Sequence, residues 1–171
     1  MATKRKTLSQ MDPKEARKAI ARDVISLLKS RRFIASPGTY FALNASEVVL
    51  VGDDDLRDKV GRKRCDVCAI GAAIVARALR EDQISVSQAS NGELSTLSGI
   101  FESQQLREME WAFEVERYLE GDGCSCNMCQ RERKYHLKKK SVQFGMKFKK
   151  PGPRLLAIWE NVLKNDGEFV P

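Results

Sequence analysis

Five cysteines and a single histidine carry most of the chemistry open to this 171-residue chain. Cys65-x-x-Cys68 and Cys126-x-x-Cys129 each have the spacing at which one turn aims two thiolates at the same ion, and two such turns complete a tetrahedral zinc site. Cys124 and His136 are spare ligands, and a local set of Cys124, Cys126, Cys129 and His136 is the alternative. Four protein ligands leave no position for water, so a zinc ion held this way is expected to be structural. The competing reading makes Cys65 and Cys68 small core hydrophobes at the start of a buried helix and leaves the other thiols exposed. A redox role for Cys65-x-x-Cys68 draws on Arg62, Lys63, Arg64 and a helix N-terminus, all of which lower a thiol pKa. The alternating strands and helices of a thioredoxin-like frame are missing from the pattern around it.

With His136 as the only imidazole, most general-base and nucleophilic schemes lose their central group. Asp53-Asp54-Asp55 with Asp58 is an acidic cluster without a second carboxylate group to complete a cation site, and it reads better as a loop or helix cap. The glycine patterns that cradle phosphates in nucleotide hydrolases and dinucleotide folds are absent. Binding is expected here rather than catalysis.

Charge is the stronger signal. The net charge is +7, yet from Arg131 to Lys150 nine Lys or Arg stand against one acid, Glu132. Lys4, Arg5 and Lys6 add three cations within the first eleven residues, so the remainder of the chain is net acidic. Much of that acid lies between Glu102 and Asp122. Arg131, Arg133, Lys134, Lys138, Lys139 and Lys140, interleaved with Tyr135, form the candidate nucleic-acid-binding set. Cations reward phosphate contact through counterion release, and exposed aromatics stack on bases. The arm's other readings are a solvated face, or docking to an acidic protein surface such as the chain's own 102–122 segment.

The elements that position these residues are mainly helical. Asp12-Pro13-Lys14-Glu15 is a helix start with an acidic N-cap and proline at the first position, and Ala16, Ile20, Val24, Leu27 and Leu28 follow at helical spacing to about Ser30. Ser36-Pro37-Gly38 breaks the chain. The runs 40–43 and 47–51 are short and of undecided type. A helix is predicted from Cys65 to Arg80, apolar on almost every side and therefore central, with Gly71 marking a close helix contact. Ser103 is expected to cap a helix to about Leu119, with Gly121-Asp122-Gly123 ending it. A cysteine loop and the basic arm follow. Val142, Phe144, Met146 and Phe148 alternate with polar residues, which reads as a strand. Pro151-Gly152-Pro153 opens a last helix with Leu155, Ile158, Trp159 and Leu163 inward and Gly167 as its stop.

The fold class expected is therefore mainly α: a single helical domain, residues 12–171, of about four principal helices with small β elements. Residues 1–11 form a mobile basic tail, and 121–150 are the cysteine loop and arm. Hydrophobic and charged fractions of 42% and 31% are those of a globular chain. The longest apolar run, 68–76, is far short of the ~20 residues that span a bilayer. The N-terminus has charge but no apolar segment after it, so a cytoplasmic location is expected, with thiols rather than disulfides.

Three segments taken together carry a resemblance: Cys65-Asp66-Val67-Cys68-Ala69-Ile70-Gly71-Ala72, then Gln105-Leu106-Arg107-Glu108-Met109-Glu110-Trp111-Ala112-Phe113-Glu114, and Arg154-Leu155-Leu156-Ala157-Ile158-Trp159-Glu160-Asn161 with Asn165-Asp166-Gly167-Glu168-Phe169. The combination resembles a family of small uncharacterised proteins of bacteriophages and prophages. The resemblance implies a phage or prophage context and a shared helical core, and it carries over no catalytic residue. Relative to that family, 121–150 looks like an insertion. Two functions follow as expectations: a nucleic-acid-binding accessory protein, or an inhibitor that blocks a host protein or sequesters a nucleotide signal. For the metal, elemental analysis of protein purified without chelator should find about one zinc per chain. Five freely reactive thiols and no metal would return the cysteines to core and loop roles.

Overall fold

The computed structural model describes residues 7–43, 55–81, 84–90, 92, 94–119 and 126–171. The helix start at Asp12 forms as its residue types require. The Asp12 carboxylate accepts from the Glu15 amide at 3.0 Å, and Pro13 is the first residue of α1 (Pro13–Lys29). Ala16, Ile20, Val24 and Leu27 are buried, while Leu28 is half-buried. The helix closes in a Schellman motif: the Arg32 amide donates to the Leu27 carbonyl at 2.9 Å and the Arg31 amide to Leu28 at 3.0 Å. Arg31 sits in the left-handed slot at φ 57°, where glycine is the usual occupant.

Three short strands form a sheet of order β1-β3-β2. β1 (Phe33–Ala35) runs parallel to β3 (Cys65–Val67), with Phe33 opposite Cys65, and β2 (Phe41–Leu43) runs antiparallel to β3, with Phe41 opposite Val67. Residues 65–67 thus depart from the predicted helix. Cys65 and Val67 are buried on either side of half-exposed Asp66, a period of two that suits a strand better than a helical turn. The helix begins after Cys68, whose sulfur accepts from the Gly71 amide at 3.4 Å as the N-cap of α3 (Ala69–Arg80). The 47–51 run and Asp53 and Asp54 of the aspartate cluster lie outside the described residues. Asp55 is a helix cap: its carboxylate accepts from the Arg57 amide at 2.8 Å at the start of α2 (Leu56–Val60).

α3 is the central helix, with Ala69 to Ala76 and Ala78 buried and α1, α2, α4 (Val86–Ser90), α5 (Ser103–Phe113) and two strands packed around it. The close approach at Gly71 involves the chain before β2 and not a second helix. A Cβ built on Gly71 would stand 1.5 Å from the Tyr40 carbonyl oxygen.

The predicted 103–119 helix is broken at Glu114 (φ −87°, ψ 36°) into α5 and α6 (Val115–Leu119). The cause is specific. The Phe113 carbonyl accepts from Arg154 Nη1 at 2.9 Å, and Glu114 turns its carboxylate onto the Gly38 amide at 2.9 and 3.0 Å. Glu102 is the N-cap of α5, without a side-chain cap, and Ser103 is its first helical residue.

The basic arm is helical where alternation suggested a strand. α7 (Asn127–Leu137) and α8 (Lys140–Met146) lie between α6 and α9 (Pro151–Lys164). Ser141, Val142 and Gly145 form the buried face of α8. A Cβ on Gly145 would stand 1.9 Å from the Ala112 carbonyl oxygen, so the α5–α8 contact selects the helix over an alternating pattern that a strand would need to pair. The last helix starts at Pro151, earlier than Arg154, and buries Leu155, Ile158, Trp159 and Val162, with Leu163 half-buried. It ends with Asp166 at φ 59° and Gly167 at φ 95°, the Gly167 amide donating to Val162 at 2.8 Å. The molecule is mainly helical with a small sheet, and among the described residues no helix is long and apolar enough to cross a membrane.

Gly71→Ala is the sharpest test of this packing. Helix propensity alone favours Ala by up to about 1 kcal/mol, but the Tyr40 backbone cannot yield as a side chain would. Denaturant unfolding should show Gly71→Ala destabilised by about 1–3 kcal/mol. An unchanged or raised midpoint would mean that Tyr40 does not press on α3.

Candidate functional site

α7 has no buried residue, and its two faces differ in kind. Arg131, Lys134, Tyr135 and Lys138 follow at i, i+3, i+4 and i+7, which puts them on one stripe, and all four are exposed. Arg133, His136 and Leu137 turn toward the body and are half-buried. Of the cations predicted as a set, Arg131, Lys134, Lys138 and Lys140 remain solvent-facing, whereas Arg133 and Lys139 are drawn inward.

Arg133 Nε donates to the Tyr118 carbonyl at 3.1 Å, and Nη2 donates to the Leu119 carbonyl. It thereby closes the C-terminal end of α6, whose last carbonyls have no helical partner. Lys139 holds its ammonium 4.2 Å from the Trp111 ring centre and 4.4 Å from that of Tyr135, and donates to the Tyr135 hydroxyl at 3.2 Å. A cation over an aromatic face contributes about 0.5–1 kcal/mol at an exposed site. One face of Tyr135 is therefore covered, yet the residue is still 62% exposed, enough to offer a stacking surface.

Beneath this stripe His136 stacks on Tyr118, with ring centres 4.6 Å apart and planes 18° from parallel, and meets Trp111 and Tyr135 edge-on at 5.3 and 5.5 Å. The arm thus docks on α5 and α6 through aromatic rings and backbone carbonyls. Three of the described acids of the 102–122 segment have other partners: Glu110 accepts from the Tyr40 hydroxyl at 3.1 Å, Glu114 from Gly38 and Glu116 from Arg154. Burial, then the neighbouring Glu110, push the Tyr40 hydroxyl up to about 12.

Where α5, α8 and the chain end meet, a groove of about 350 Å³ is lined by Glu108 and Trp111 of α5, by Lys139, Lys140 and Ser141, and by Val170 and Pro171. Asn161 fastens the chain end there, its amide donating to the Val170 carbonyl at 2.8 Å and its oxygen accepting from the Val170 amide at 2.9 Å. Comparison with known protein families, curated proteins and solved structures finds no match for this chain.

Cys65 and Cys68 are buried in the sheet and at the cap of α3, while Cys126, exposed, is the N-cap of α7 and its sulfur accepts from the Cys129 amide at 3.5 Å. Among the described residues no group of three or more His, Cys, Asp or Glu side chains is placed to hold a metal ion; Cys124 lies outside those residues. Burial pushes the Cys65 thiol up to about 11 and the Cys68 thiol up to about 12. The nearby Arg32 and Lys63 and the α3 amides lower these values and are outweighed. Activation for redox chemistry requires the opposite shift.

Trp111 and the two-ring seat of Lys139 are the parts that sequence reasoning did not find. The available signal was a large aromatic lying off the apolar stripe of its own helix.

His136 gives a direct check on the docked arm. Burial, then Lys139, lower its pKa from the ordinary 6.5, Glu132 opposes them, and Arg117 adds to the lowering. The folded state then binds the proton less readily than the unfolded chain, so stability falls as pH drops below ~6.5 and levels off below the folded value. An NMR titration should place the His136 midpoint below 6.5. A midpoint at or above 6.5 would mean that the imidazole is not enclosed by the three rings.

Proposed function

We propose that this protein is a non-enzymatic nucleic-acid-binding protein that contacts the phosphate backbone through α7 and the start of α8. The observation that supports it is the single exposed stripe of Arg131, Lys134, Tyr135 and Lys138, continued by Lys140. Three cations at helical spacing with an aromatic among them match a phosphate track with a place for one stacked base. Arg133 and Lys139 are positioning residues in this reading, since one closes α6 and the other is seated between Trp111 and Tyr135. This role suits an accessory protein of a phage or prophage, the context that the resemblance implies, and zinc at the cysteine loop remains a proposed stabiliser of the arm.

The groove beside Trp111 supports a second reading. Its volume admits a nucleotide-sized ligand, with Lys139 and Lys140 for phosphate and Trp111 for the base. The protein would then sequester a nucleotide signal.

Fluorescence anisotropy with short DNA and RNA at several salt concentrations separates the two. Each phosphate neutralised contributes about −0.9 to the slope of log K against log salt on duplex and about −0.7 on single strands. Arg131→Gln, Lys134→Gln and Lys138→Gln together should flatten the duplex slope by roughly two to three units. Tyr135→Ala should weaken single-strand binding with little change of slope. Absence of binding to either polymer at ~50 mM salt would eliminate the nucleic-acid reading. Saturable binding of a mononucleotide, lost in Lys140→Gln, would then favour the groove.

A further inference from the structure

Away from the arm, the chain builds a second basic surface by topology. Because β1 and β3 are parallel and in register from Phe33 and Cys65, the residues just before each strand emerge at the same end of the sheet. Those residues are Arg31 and Arg32 on one side and Arg62, Lys63 and Arg64 on the other. The two segments are tied together: the Cys65 amide donates to the Arg32 carbonyl at 2.9 Å, and Arg32 Nη2 donates to the Gly61 carbonyl.

Arg31, Arg62, Lys63 and Arg64 are all exposed. Among the described residues none of them has a carboxylate at ion-pair distance. The nearby acids in sequence are Asp58 in α2 and Asp66 in β3.

Arg31 supplies the independent observation. It occupies the left-handed slot of a helix-ending motif at φ 57°, a conformation that disfavours every residue with a Cβ. The same slot at the end of α9 is held by Asp166, and there the charge is used: Asp166 pairs with Lys14 and, at 2.7 Å, with Lys18. Arg31 has no such partner. Glycine would relieve the backbone, and among the described residues no contact accounts for a guanidinium here. An unrelieved backbone outlier is a pointer to function.

We infer that Arg31, Arg62, Lys63 and Arg64, with Arg32 holding the two segments together, form a second phosphate-contacting surface for nucleic acid. The inference rests on the reading of the protein as a nucleic-acid binder. Three of the four exposed groups are guanidinium forks, which match phosphate oxygens in pairs. Ile34 beside it is 46% accessible, and none of the described residues named in this surface is aromatic. A protein partner would call for an apolar or aromatic centre with charge at the rim, and this surface is charged throughout.

It is also distinct from the arm. At the other end of β1, the Gly38 amide donates to Glu114 at the close of α5, and α8 rests on α5 at Ala112 and Gly145. The two basic surfaces therefore bracket the sheet from opposite ends of β1.

The decisive variant is Arg31→Gly in the full chain. Loss of structure would lower the unfolding midpoint along with binding. Loss of a phosphate contact should instead weaken duplex DNA binding and flatten the salt slope by about one unit while the midpoint stays level or rises. Arg62→Gln, Lys63→Gln and Arg64→Gln together should flatten the slope by roughly two to three units. An unchanged slope in both variants, with the α7-stripe variant still weakened, would overturn this surface and leave the arm reading intact. Wild-type protein that fails to bind DNA or RNA would overturn both. Binding to anionic lipid vesicles, reduced by Arg31→Gly, with DNA binding unaffected would also overturn the assignment to nucleic acid.

Discussion

Arg154 joins four elements through one guanidinium that is 2% exposed. Its Nε donates to the Gly145 and Phe148 carbonyls at 3.2 Å, its Nη2 to Phe148 at 2.8 Å, and its Nη1 to the Phe113 carbonyl at 2.9 Å and the Glu116 carboxylate at 2.5 Å. The end of α5, the start of α6 and the end of α8 are thereby all bonded to the first turns of α9. Burial works to raise the Glu116 carboxyl, but the bond from Arg154, the residue's own backbone amide and the Arg154 charge together outweigh it, leaving the group lowered. Glu116 is 36% exposed, so solvent screens its half of the pair, but losing Arg154 would still leave that carboxylate without its partner. The Phe113 and Phe148 carbonyls would lose their donor with it, while Gly145 keeps the Phe148 amide at 3.0 Å. The break between α5 and α6, and hence the direction in which α7 leaves, depends on this one side chain.

From that anchor the arm is aimed by packing and hydrogen bonding more than by charge. Gly145 lets α8 lie against the α5 backbone, and Arg133 closes α6. The three rings around His136 then hold α7 at a fixed rotation. That rotation decides which cations face water. A turn of a few residues would bury Lys134 and expose Arg133. The chain end is fastened by charge instead. Hydrogen bonds from Lys14 and then Lys18 hold the Asp166 carboxyl down at about 2, and Arg17 pairs with Glu168. These contacts fasten the end of α9 across α1. The Gln105 amide donates to the Gly167 carbonyl at 2.9 Å, which adds α5 to the same clasp.

By itself the sequence determined the start of α1 and the stop of α9, the central apolar helix, the mainly helical class and the concentration of cations between Arg131 and Lys150. Each of these depends on local chemistry: a capping carboxylate, a proline at a first turn, alanine-rich propensity and the plain count of charges. Tertiary structure decided the rest, because each remaining feature depends on residues far apart in the chain. Cys65–Val67 is a strand because β1 and β2 flank it. The 142–148 alternation yields to helix because Ala112 lies where Gly145 must pack. Glu114 breaks a helix because Arg154 takes the preceding carbonyl. Lys139 and Arg133 look like their basic neighbours in the sequence, yet each is held inward by a partner at least fourteen residues away. Arg31 and Arg64 share a surface only because two strands run parallel, and a charge count along the chain cannot register that.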